Sequence, residues 1–118
     1  MIHINFELRI RYESEHDRCI RMNSIIEQPP CFFEENLAYQ KNTSQSSTLN
    51  DQGASGQAVD GDSNTNWLLG SCAHTLDEKQ PWWRVDLGNV ELVNEVYVVN
   101  RGGCCGNRLN PFEIRVGE

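Results

Sequence analysis

Residues 82–100 read WWRVDLGNVELVNEVYVVN. Apolar and polar residues alternate from Trp83 to Leu87, and Gly88 closes the run. Period-two alternation ending on a glycine predicts a strand and then a turn. Neighbouring strand residues point to opposite faces, so one of Trp82 and Trp83 belongs in the core and the other is half exposed. Residues 91–100 predict a second strand, with Val93, Val96 and Val98 as apolar positions. Residues 112–118 predict a third, alternating Phe112, Ile114 and Val116 against Glu113 and Arg115. Residues 2–12 set Ile2, Ile4, Phe6, Leu8, Ile10 and Tyr12 on one face and His3, Asn5, Glu7, Arg9 and Arg11 on the other. Short strands separated by turn formers predict an all-β fold, a β-sandwich or jelly roll.

The remainder of the chain sets limits. Its 118 residues suffice for one domain with a modest core. Residues 13–28 are charged with a weak helical pattern (Ile20, Ile25, Ile26), and Pro29 and Pro30 break it. The character changes at Cys31, where a polar stretch rich in turn formers begins. A net charge of -7 argues against nonspecific nucleic-acid binding, which needs a cationic face. No apolar run approaches the ~20 residues of a membrane helix. The first twelve residues lack the continuous apolar stretch of a signal peptide. If the working domain is extracellular, this chain is then expected to be an internal or truncated piece. The 5 cysteines (Cys19, Cys31, Cys72, Cys104, Cys105) are odd in number and lack zinc-site spacing, which favours disulfides over a structural metal.

Chemistry-bearing residues gather in a few stretches. Residues 100–108, NRGGCCGNR, set Cys104 and Cys105 side by side between Arg101 and Arg108. Adjacent cysteines either close a strained ring or pair with two different partners, and the sequence leaves both open. Gly102, Gly103 and Gly106 permit the tight path a ring needs. Each guanidinium is a planar fork that donates to two oxygens at once, as neighbouring sugar hydroxyls would accept. Alone, the two arginines are equally a solvated surface pair. His74, in GSCAHT, has no nucleophile or carboxylate at a spacing that makes a catalytic group. Residues 58–67, AVDGDSNTNW, offer Asp60 and Asp62 around Gly61: oxygen donors suited to calcium, or an Asx-rich turn without an ion. Asn42-Thr43-Ser44 fits the N-glycosylation acceptor pattern.

Six motifs follow one another in an order that resembles the F-type lectins, the fucolectin family. They are ENLAYQKNTSQSST (35–48), QAVDGDSNTNW (57–67), GSCAHT (70–75), PWWRVDLG (81–88), VYVVNRGGCCGNRL (96–109) and FEIRVG (112–117). His74 and Arg101, with residues 75–100 between them, match the family's sugar-binding signature. The resemblance runs from about Glu35 to Gly117. It divides the chain into 1–34, an extension or the end of a preceding domain, and 35–118, a partial F-type lectin domain.

The resemblance implies a jelly-roll β-sandwich of the galactose-binding, discoidin-like type, incomplete at its C-terminus. It implies a secreted, non-enzymatic lectin that binds terminal L-fucose on glycans or glycoproteins, with a structural calcium and a role in innate recognition. His74, Arg101 and Arg108 match the side chains that hydrogen-bond the sugar, and Cys104 and Cys105 match a vicinal disulfide packed against its ring. Trp67 and Leu49 fall where the pocket for the fucose methyl is lined. Gln57 and Asp60 (through backbone carbonyls), Asp62 and Ser71 match calcium ligands, and the remaining ligands are expected beyond Glu118. An apolar methyl pocket discriminates against galactose by about 1–3 kcal/mol. Single sites of this kind are weak, so several acting together, as in a homo-oligomer, are expected.

Three departures from the family stand out. Gly103 occupies a position where the family has Asp. The usual partner of Cys72 is missing, which makes Cys72 the expected odd thiol. Residues 1–34 lie outside the resemblance. The competing expectation is a discoidin-like interaction domain whose sugar site has lapsed and whose partner is a protein or another glycan. A thiol redox switch at Cys104–Cys105 is a third.

Overall fold

The computed structural model describes the backbone of residues 3–13, 32–70, 72–93 and 95–117, and side chains from Glu35 onward within these ranges. Six strands follow in order: β1 (His3–Glu13), β2 (Phe32–Asn36), β3 (Asn42–Gln45), β4 (Ala73–His74), β5 (Trp83–Asp86) and β6 (Glu95–Val99). Short 3₁₀ turns occupy Asp51–Gly53, Ser55–Val59, Trp67–Leu69 and Gly106–Leu109.

β1 is the hub of the larger sheet. It pairs antiparallel with β2 from Arg9↔Asn36 to Glu13↔Phe32, and with β6 from Asn5↔Val99 to Arg9↔Glu95. Its first residues pair with β4, His3↔His74 and Ile4↔Ala73. The alternating segment is thus a strand from His3 onward, and its backbone is joined to β4 and β6 of the 35–118 region. β3 and β5 form a second, two-stranded antiparallel sheet, from Asn42↔Asp86 to Gln45↔Trp83. Asn42, of the glycosylation pattern, is exposed at its start.

The core lies where the sheets meet. Ala38 and Val59 are buried at its centre, and Trp83, Val85, Leu87, Val93 and Val96 pack against them. Trp83 and Val85 come from β5 and Val96 from β6, so both sheets send their apolar positions to one cluster. The alternation of β5 decides this. Trp83 packs inward and its indole Nε1 donates to the Ser55 carbonyl at 3.0 Å, which satisfies the polar edge of a half-buried ring. Trp82, on the other face, is 46% exposed.

One expected strand does not form. Residues 112–117 are irregular, with Phe112, Ile114 and Val116 all exposed. Alternation tells which face a residue would take, but a strand exists only where a neighbour accepts its backbone hydrogen bonds, and no strand among the described residues does so here. Glu113 and Arg115, on the polar side, form a fully exposed bidentate pair at 3.0 and 3.1 Å. The weak helical pattern beyond Glu13, Cys19, Pro29, Pro30 and Cys31 lie outside the described residues.

Candidate functional site

His74 ends β4 and is almost fully buried. Its carbonyl accepts the Leu49 N–H at 3.0 Å, which brings the expected pocket-lining leucine beside it. Its ring meets Trp67 edge-on, with centroids 4.6 Å apart and planes at 90°. The Arg101 guanidinium carbon lies 5.9 Å from the centroid of the same indole, within cation–π range. Trp67 therefore touches both the histidine and the first arginine of the expected set.

Trp67 is delivered by an ordered loop. Asp60, Asp62, Asn64 and Asn66 each accept, through the side-chain Oδ1, the backbone N–H two residues on, at 2.7, 2.9, 2.8 and 3.1 Å. Four consecutive Asx turns hold this polar segment without a ladder, because short Asx side chains supply the acceptors that strand neighbours otherwise would. The last turn sets the start of the 3₁₀ turn at Trp67–Leu69.

A second turn meets this loop. Asn100 fastens both of its ends, accepting from the Arg101 N–H at 2.8 Å and donating to the Gly106 carbonyl at 2.7 Å. Gly102 donates its N–H to the Thr65 carbonyl at 3.0 Å. A Cβ on Gly102 would stand 2.6 Å from Thr65 Oγ1, so only glycine permits this approach. Inside the turn Cys104 and Cys105 are bonded to each other. This settles the alternatives left open above in favour of the vicinal ring. Gly103 and Cys105 hold left-handed backbone, at φ 83° and 66°. Arg108 follows in the 3₁₀ turn Gly106–Leu109, exposed above the buried Leu109.

Electrostatics tie the set together. The pKa of His74 is lowered to about 4, first by burial, then by the positive charges of Arg101 and Arg108. Both arginines thus act on one imidazole, and that imidazole is neutral at pH 7, with one nitrogen to donate and one to accept. Cys72, two residues before, is a buried free thiol whose pKa is pushed up by burial. Its free state matches the expected odd thiol.

The expected calcium ligands are partly in view. Asp60 and Asp62 share the first Asx turn, and the Asp60 pKa is raised by burial and by the Asp62 charge. Gln57 Oε1 is buried with no hydrogen-bond partner among the described residues, and its Nε2 lies beside Gly70. The orphaned atom is the Gln57 side-chain oxygen, whereas the resemblance assigns Gln57 and Asp60 through their backbone carbonyls; oxygen donors of either kind suit a hard cation. Among the described residues no three His, Cys, Asp or Glu side chains cluster as a metal site. Ser71 lies outside the described residues.

Gln45, Gly53, Asn100 and Thr65 also shape the site and were not foreseen. Asn100 carried a signal, standing at the head of a glycine-rich turn where Asx side chains bond the backbone. Gln45 acts through its side-chain amide on a main-chain carbonyl, and Gly53 and Thr65 through close backbone approaches.

Residues 57–118 match the family described as NedA-like, galactose-binding domain, of the F5/F8 type C class, and the chain belongs to that family. Its all-β architecture agrees. The chain is also similar to a fucolectin of Anguilla anguilla, 37% identical over 94 residues that cover 76% of this chain and 60% of the relative. Fucolectin-1 of Anguilla japonica is likewise 37% identical over 94 residues, covering 53% of that protein. A pentraxin fusion protein of Xenopus laevis is 36% identical over 83 residues, covering 70% of this chain and 20% of its own length. These likenesses bear out the resemblance to F-type lectins. The chain spans little more than half the length of the eel relatives. No solved structure matches it.

Proposed function

We propose that this chain is a lectin module that binds terminal L-fucose on extracellular glycans and glycoproteins and performs no catalysis. The observation that carries this is Trp67, which stands edge-on to His74 and within cation–π range of Arg101, with the Leu49 N–H bonded to the His74 carbonyl. A neutral imidazole and two guanidinium forks supply donors for ring hydroxyls, and charge-assisted donors of this kind are the strong ones. Trp67, Leu49 and the Cys104–Cys105 ring supply apolar surface for the sugar face and the methyl group. Calcium, held by Gln57, Asp60, Asp62 and Ser71, would brace the Asx loop that delivers Trp67. An intact disulfide suits an oxidising, extracellular setting.

Gly103 supports a second reading, a discoidin-like domain whose sugar site has lapsed. It contributes no carboxylate to the turn that carries Arg101 and Arg108, where the family has Asp.

Two-dimensional NMR of the oxidised chain, titrated with L-fucose before and after adding a calcium chelator, tests the first reading. The expected result is saturable shifts at the Trp67 indole N–H, the His74 ring and the amides of 101–108, weakened by the chelator. A folded chain whose spectrum does not respond to fucose favours the lapsed site.

A further inference from the structure

We propose that Gly53 and Gln45 are positioning residues that seat His74 at the depth the sugar site requires; this rests on the sugar-binding reading of His74. Gly53 ends the turn Asp51–Gly53 and is buried directly behind the histidine. A Cβ there would stand 2.8 Å from His74 Cβ and 3.0 Å from the His74 carbonyl oxygen. Neither atom swings away with a rotamer change, so any side chain at 53 drives the turn and His74 apart. The absent side chain is what lets the turn close.

Gln45, at the end of β3, locks the closure. Its Nε2 donates to the Gly53 carbonyl at 2.9 Å and to Thr48 Oγ1 at 2.8 Å, and lies 3.5 Å from the His74 carbonyl. The same His74 carbonyl takes the Leu49 N–H. One amide thus gathers β3, the 48–53 segment and the end of β4 around the histidine backbone. Its own Oε1 is buried with no partner among the described residues, so the amide is oriented entirely by its donor side. Displacing His74 would change two things at once: its approach to Trp67 and the burial that keeps its imidazole neutral.

The test is Gly53→Ala in the whole chain, with Gly56→Ala as control, where the new Cβ meets only Thr43 Oγ1 at 3.9 Å. Two quantities are read: fucose affinity and the midpoint of the His74 ring-proton titration. Gly53→Ala is expected to weaken fucose binding at least about tenfold, since sites tolerate little displacement of their contacting groups. It should also raise the His74 midpoint toward its ordinary value as burial loosens. Gly56→Ala should do neither. Gln45→Leu, which keeps volume and removes the donors, should produce both changes to a smaller extent, and it decides the matter if Gly53→Ala does not fold. Parent-like affinity and midpoint in folded variants overturn the proposal. If the parent chain takes no fucose, the sugar reading has failed, while an unmoved His74 midpoint would separately show that Gly53 does not seat the histidine.

Discussion

Trp67 stands edge-on to His74 at 4.6 Å while the Arg101 guanidinium lies 5.9 Å from the same indole. One aromatic ring therefore fixes the relative placement of the two groups expected to hold the sugar. Trp67→Ala removes an edge-to-face contact and a cation–π contact, each worth about 0.5–1.5 kcal/mol. The expected outcome in a fucose titration is about a tenfold loss of affinity. Trp67→Phe should recover most of it.

Binding and stability should respond to acid through His74. Its pKa is about 4 in the folded chain against an ordinary value of 6.5. Between these values the unfolded chain binds the proton and the folded chain does not. Stability therefore rises with pH across this window, is fully present above 6.5 and is lost as pH falls toward 4, at no more than about 1.4 kcal/mol per unit. Urea denaturation across this range should show that slope, and His74→Gln should flatten it. Fucose affinity should stay constant from neutral pH down to about pH 5 and fall below it as the imidazole gains its charge.

Gly102 and Gly103 are adjacent but constrained for different reasons. Gly102→Ala collides with Thr65 at 2.6 Å, so it should part the cysteine turn from the Asx loop and weaken fucose binding. A Cβ at Gly103 meets nothing within 4 Å, but the residue holds φ 83°. Gly103→Asp should lower stability by about 1 kcal/mol, because left-handed backbone disfavours a side chain, Asp less than most. It should strengthen fucose binding, because it restores a carboxylate between Arg101 and Arg108. Thermal melts and sugar titrations of the two variants check both halves.

Reduction should act as damage and not as a switch. Opening the Cys104–Cys105 ring frees a turn in which Gly103 and Cys105 hold left-handed backbone. Fucose affinity is expected to fall several-fold in dithiothreitol and return on reoxidation, with no turnover of a thiol substrate. Cys104→Ser should match the reduced protein.

The strands were legible where alternation coincided with a partner. Trp83, Val85 and Val96 could be placed because period-two patterning reports which face packs inward, and all three pack, half buried, against the core. Phe112, Ile114 and Val116 carry the same pattern without a partner strand and stay exposed, since patterning reports a face and not a neighbour. Candidate site residues with distinctive side chains, such as His74 and Arg101, were legible through motif order. Gly53, Gln45 and Thr65 were not, because each contributes a close approach or a hydrogen bond to a particular backbone atom, which residue type alone does not reveal. Asp60 and Asp62 were legible as oxygen donors, and in the structure they also make Asx turns in the same loop.

The most direct measurement is calorimetric titration of the oxidised chain with L-fucose, with D-galactose as the control and with calcium present. Saturable heat from fucose and at least about a tenfold weaker response to galactose is the expected result, because an extra hydroxyl would lie unpaired in the methyl pocket. Equal response to both sugars, or none to either from a chain shown to be folded, would contradict the account.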